Sequence, residues 1–193
     1  MDKTKNSIEL WNAFQQGDRD AFQQIYFNVF DSLFEYGSRL VKDEELVKDA
    51  IHDLFVKIWN NRANLSMVKA VNSYLLVALR GAIYNMLNKN KRTQLFEEAA
   101  LLPFEMEFSA ESKYINKETN TIQSQKLIEA LNQLTPRQKE VIYLRYYEEM
   151  SYEEIAVALN ITIKATYKLS ARGLVTLRQI LNISVPSVVL LLL

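Results

Sequence analysis

Apolar residues recur at three- and four-residue intervals along most of this chain, the period of helices that bury one face. The first block is short, running from Ser7 to Gln16 and stopping at Gly17. Asp18 can accept from free backbone amides, and a helix is predicted from it to about Leu40. Its apolar members are Ala21, Phe22, Ile25, Tyr26, Val29, Phe30, Leu33, Phe34 and Tyr36. Asp43 opens the next helix, with Leu46, Val47, Ala50, Ile51, Leu54, Phe55, Ile58 and Trp59 inward. Asp49, His52, Asp53 and Lys57 fall on its outward face. A loop from Ala63 to Val71 precedes a further helix, for which Asn72 or Ser73 is the predicted cap. That helix ends in Lys89, Lys91 and Arg92, where positive charge suits the helix dipole.

From Thr93 to about Thr121 the period lapses, and Pro103 and scattered aromatics suggest a linker with at most one short helix. Thirty extended residues would reach roughly 100 Å at about 3.3 Å each, so the flanking domains need not touch.

The clearest pattern lies between Thr135 and Arg178. Thr135 suits an N-cap, Pro136 the first helical position, and Gln138 closes a capping box. Ser151 and Glu154 repeat the device before Ile155, Ala156 and Leu159. Asn160 tolerates the left-handed backbone a tight turn requires. Ile161 plugs the corner, Thr162 caps the next helix, and Leu169 returns to the core. Small Ala156 lets the two helices approach closely. This spacing predicts a helix-turn-helix, although an ordinary αα-hairpin would share the caps. The second helix leaves Lys164, Thr166, Tyr167, Lys168 and Arg172 outward, with Thr166 expected to be partly buried. Donors and an aromatic suit base edges and phosphates, and no Asp or Glu occurs from Asn160 to Leu193. DNA binding is the better reading.

Charge modifies that conclusion. The formal net charge is zero, but it is unevenly spread. Two mildly basic ends flank a middle in which Lys113 and Lys117 face Glu97, Glu98, Glu105, Glu107, Glu111 and Glu118. So little positive charge predicts weak binding of duplex DNA by the isolated chain, because non-specific affinity comes mainly from neutralised phosphates. A partner that helps it onto DNA is implied. The acidic middle has the pattern of a solvated tether and also of a strand lying in a nucleic-acid channel.

The chain has no cysteine, few glycines and prolines, and no apolar signal core in MDKTKNSIELWNAF. It reads as an all-α protein suited to a reducing cytoplasm. Its organisation is two helical domains joined by a flexible acidic linker, the C-terminal one a helix-turn-helix. The predicted divisions are 1–92, a linker 93–125, 126–181, and an apolar tail 182–193. NISVPSVVLLLL is too short to span a bilayer and is expected to cap the core, so no direct membrane insertion is predicted. One histidine, no cysteine, no glycine-rich phosphate loop and no paired acid–base constellation argue against an enzyme, a metal site or a cofactor.

The segments VKDAIHDLFVKIWNNR, SYLLVALRGAIYNML and LTPRQKEVIYLRYYEEMSYEEIAVALNI resemble an extracytoplasmic-function sigma factor of the sigma-70 class. The resemblance runs in order from about Asp18 to Leu181, and is nearest to the iron-regulator-type members of the Bacteroidetes. It implies promoter-specific initiation with core RNA polymerase, on promoter DNA, under an anti-sigma factor that can be membrane-bound. It assigns polymerase binding to Asp49, His52, Asp53 and Lys57. The two carboxylates lie one turn apart on a polar face, which a merely solvated face would also show. His52 stands where the family often has Gln, so a hydrogen-bonding role is expected.

The resemblance assigns −10 contacts to Asn64, Ser66, Lys69 and Asn72 in and beside the loop, with Arg80, Lys89, Lys91 and Arg92 along the backbone. Tyr74 replaces a usual Trp and reads as core. Gly81 and Asn85 depart from a frequent Asn and Asp, which leaves the base-specific details of that helix open. For the −35 element it implies Thr162, Lys164, Ala165, Tyr167, Lys168 and Arg172. Asn160 stands for a usual Gly, Thr166 for a usual Val, and Tyr167 and Gly173 are untypical. Two rivals share parts of this pattern: a helix-turn-helix regulator that does not dock on polymerase, and a protein-binding helical adaptor.

Overall fold

The computed structural model describes residues 3–68, 70–89, 104–105 and 122–192. Every regular element among them is a helix, and the chain divides into two compact units, Met1–Leu102 and Pro103–Leu193.

In the first unit, α1 (Lys3–Gln15) ends at Gly17, whose φ of 95° only glycine adopts cheaply. Asp18 caps α2 (Arg19–Leu40), accepting from the amides of Asp20 and Ala21 at 2.9 and 3.0 Å. Asp43 does the same for α3 (Glu44–Asn61) through Glu45 and Leu46. A short 3-10 turn, Arg62–Asn64, leads to the loop before α4 (Val71–Lys89). That helix begins just ahead of Asn72 and Ser73, so neither is its cap. The Tyr74 amide donates to the Ala70 carbonyl, and Ser73 is buried.

Trp11, Phe14, Leu33, Ile51, Leu75 and Leu79 lie at the centre of this unit, each at most 1% exposed. Helix α2 packs tightly at Gly37, where an added Cβ would sit 2.6 Å from Val47 Cγ1. A larger residue there would push Val47 out of its place on α3. The aromatic stripe of α2 is not wholly inward as its period suggested. Phe22, Tyr26, Phe30 and Phe34 are half-buried, because nine apolar residues form a wider band than α3 and α4 can cover.

The second unit contains α5 (Ile122–Asn132), α6 (Pro136–Tyr146), α7 (Tyr152–Leu159), α8 (Ile163–Leu181) and α9 (Val185–Leu192). Both predicted capping boxes form, at Thr135 with Gln138 and at Ser151 with Glu154. Asn160 is left-handed at φ 50°, ψ 50°, and the Ile161 amide closes the turn on the Ala156 carbonyl. Glu149 also has positive φ, at 56°, in the turn before α7.

Two features bear on the ends of the second unit. Helix α5 starts at Ile122, inside the stretch read as linker, and Phe104 is buried with its ring 5.5 Å from Tyr143. The rest of that stretch lies outside the described residues. The apolar tail is helix α9, which packs on α8 and buries Val188 and Leu192.

Candidate nucleic-acid and partner interfaces

On α3, Asp49, His52, Asp53 and Lys57 are all exposed, because the buried stripe of Val47, Ala50, Ile51, Leu54, Phe55 and Ile58 occupies the opposite side. The two carboxylates therefore stand one turn apart, in water, with no intramolecular ion pair among the described residues. Just ahead of them, Lys48 binds Glu45 at 2.7 Å, and this bond holds the Lys48 ammonium above its ordinary pKa. Beside His52 lies an open apolar groove of about 460 Å³, lined by Arg19, Phe22, Tyr26, Phe55, Val56 and Trp59. Phe27 is 66% exposed on the same helix as Phe22 and Tyr26. The excess width of the α2 apolar band was the sequence signal for this groove.

The loop after α3 is held at its base. Arg62 donates to the Trp59 carbonyl at 2.8 Å, and its guanidinium lies 4.5 Å from the centre of the Trp59 ring. Gln15 donates to the Leu65 carbonyl, fixing the loop to α1. Asn64 and Ser66 project into solvent beyond this anchor, as does Met67. Asn72 is half-buried at the start of α4, and Tyr74 packs edge-on against Trp11 at 5.3 Å.

Arg80 is not where the sequence reading placed it. It is 3% exposed, within the broad side of α4 that meets α1, α2 and α3, so it is not presented to a DNA backbone. The exposed line of α4 is Gly81 and Asn85 instead. Lys89 is the last residue of that helix, while Lys69, Lys91 and Arg92 fall outside the described residues.

Helix α8 presents the other set. Thr162 is its N-cap, with Oγ1 accepting from the Ala165 amide at 3.2 Å, so the hydroxyl is engaged in the fold. Thr166 is fully buried and donates to the Thr162 carbonyl at 3.2 Å. Lys164, Lys168 and Arg172 are exposed at four-residue intervals and form one line. Half-exposed Tyr167 lies against Tyr152 of α7. A helix N-terminus with no acidic residue in its first turn, followed by three aligned cations, can hold a phosphate backbone, and the intervening side chains can reach base edges. Among the described residues no group of three His, Asp or Glu side chains could hold a metal, and no helix is long and apolar enough to cross a membrane.

These two surfaces coincide with two family matches. Residues 30–93 match the family described as sigma-70 region 2, and residues 124–177 match sigma-70, region 4. The chain is 24% identical over 145 residues to the RNA polymerase sigma factor YlaC of Bacillus subtilis, covering 74% of this chain and 81% of that protein. It is 24% identical over 172 residues to the ECF RNA polymerase sigma factor SigK of Mycobacterium ulcerans, covering 86% and 89%. In fold it is similar to CnrH, solved in complex with the cytosolic domain of CnrY, at a TM-score of 0.56 and 19% identity over 92% of this chain and 97% of that one. It is also similar to the sigma factor RpoE of Bartonella quintana, solved with the anti-sigma factor NepR, at 0.54 and 21% over 84% and 98%.

Proposed function

Because the chain belongs to the extracytoplasmic-function branch of the sigma-70 family and directs promoter-specific transcription initiation, we propose a division of that task between its two surfaces. The exposed face of α3, with Asp49 and Asp53 at its centre and His52 and Lys57 beside them, docks on a basic element of core RNA polymerase. Asn64 and Ser66, with Lys69 and Asn72, engage the −10 element. Helix α8 reads the −35 element as duplex DNA through Lys164, Tyr167, Lys168 and Arg172. The observation that carries this reading is the line of three exposed cations on a capped second helix whose remaining length has no acidic residue. Polymerase carries out the chemistry, and the chain supplies address.

A protein of this class works in the cytoplasm, where its polymerase is. We also infer an anti-sigma partner, a reading supported by a structural relative solved with an anti-sigma factor. The narrower likeness to iron-regulator-type members belongs to the same reading.

Reconstituted transcription with core polymerase tests the docking. Asp49→Lys with Asp53→Lys is expected to keep the wild-type helical signal and unfolding midpoint, since both residues are exposed, while weakening polymerase binding at least about tenfold. A folded double variant with undiminished affinity would remove α3 from the interface. No promoter-dependent transcript from the wild-type holoenzyme would favour a regulator that works without polymerase docking.

A further inference from the structure

Tyr152 is the first residue of α7, and its position there is set by the Ser151 capping box. Its side chain reaches α8 at two points. The ring lies 4.1 Å from that of Tyr167, centre to centre, with the planes inclined by 33°. Its hydroxyl is 3.1 Å from Ser170 Oγ, and Ser170 is buried. Tyr167 and Ser170 are three residues apart, so one side chain spans one face of the recognition helix. Tyr152 is itself held. The Arg145 guanidinium lies 5.1 Å from the centre of its ring, and Arg145 donates to the Met150 carbonyl at 2.8 Å. Tyr146 completes the cluster. Burial, and then the neighbouring Tyr152, push its phenol above the ordinary value, so it stays a neutral hydrogen-bonding group.

Tyr167 is 50% exposed. A half-exposed tyrosine on a free helix samples several rotamers and loses that freedom when it binds. Here one face of the ring is already occupied, so the side chain is ordered before DNA arrives. An ordered aromatic can offer its free edge to a thymine methyl and its hydroxyl to a base acceptor in the major groove.

We propose that Tyr152 is a positioning residue for promoter recognition: it fixes the ring of Tyr167 against α7 and thereby sets preference at the −35 base pair that Tyr167 faces. This rests on the reading that α8 enters the major groove. It makes base preference at one position depend on a side chain of the preceding helix that points at its neighbour.

The test is binding of holoenzyme, assembled from the full chain and core polymerase, to duplexes changed one base pair at a time across the −35 element, over a salt series. Tyr167→Ala is expected to relax preference at one base pair by about tenfold. Tyr152→Leu should relax the same base pair by several-fold, leave the salt slope unchanged, and add nothing when combined with Tyr167→Ala. Tyr152→Phe keeps the ring and should keep the preference. If the leucine variant does not fold, Tyr152→Gln serves the same comparison. A folded Tyr152 variant that weakens every sequence alike, acts at another base pair, or adds fully to Tyr167→Ala overturns the proposal. Arg172→Ala separates this from failure of the underlying reading. With α8 on DNA it lowers affinity for all sequences and flattens the salt dependence by about one unit. If Arg172→Ala and Tyr167→Ala both leave binding unaltered, α8 is not on DNA and the proposal falls with it. If both act and Tyr152 does not, only the positioning role is lost.

Discussion

Helices α4 and α8 are each 19 residues long, and the family resemblance implies DNA contacts on both. They present those residues differently. Helix α4 lies among α1, α2 and α3, and the last two are long enough, at 22 and 18 residues, to cover it along most of its length. Its buried set includes Leu75, Leu76, Leu79, Arg80 and Ile83, a broad arc that contains a guanidinium. Helix α8 is met by shorter neighbours of 11, 11, 8 and 8 residues, and it buries a narrow line of Thr166, Ser170, Gly173 and Leu177. Three of those four are small enough for close approach without widening the seam. Every cation named on α8 therefore remains outward. A positive charge marks a nucleic-acid surface only where the helix packing leaves its side open.

The largest expected effect follows from that contrast. Arg80→Ala removes a buried cation and leaves space behind, and should lower stability on the order of 3 kcal/mol. Urea unfolding measures this, and salt titration of holoenzyme on promoter DNA should show an unchanged slope. A variant with wild-type stability and a salt slope reduced by about one unit would return Arg80 to the DNA surface and undo the comparison.

A smaller effect is expected in the turn ahead of the helix-turn-helix. Glu149 has φ 56° and is exposed, a conformation that costs a non-glycine residue about 1 kcal/mol. Glu149→Gly should raise the thermal midpoint by the equivalent of that amount while leaving promoter preference intact. A change in preference instead would mean that this carboxylate takes part in recognition.

The smallest effect concerns the open line of α4. A Cβ at Gly81 would meet nothing within 4 Å, so Gly81→Ala should stabilise by about 0.4–1 kcal/mol. Stability gained together with normal transcription leaves that line inert. Stability gained with impaired opening of the −10 element would make Gly81 and Asn85 the DNA-facing side of α4.

Much of this protein was legible without coordinates. The helical period, the caps at Asp18, Asp43, Thr135, Ser151 and Thr162, and the left-handed Asn160 all depend on residues within four positions of one another. Local hydrogen bonds and backbone sterics decide them, and the helix-turn-helix with its outward Lys164, Lys168 and Arg172 follows. The exposed pair on α3 was legible for the same reason, since a narrow apolar stripe leaves only one side for carboxylates. Other features depend on which distant segments meet. The number and length of the helices around α4 bury Arg80. The width of α2 against its neighbours leaves the groove beside His52 open. Phe104 finds Tyr143 across a separation that no local period records. The same holds for Tyr152, whose partners Tyr167 and Ser170 lie on the next helix. Its spacing from them becomes a contact only once the turn at Asn160 has set the angle between α7 and α8.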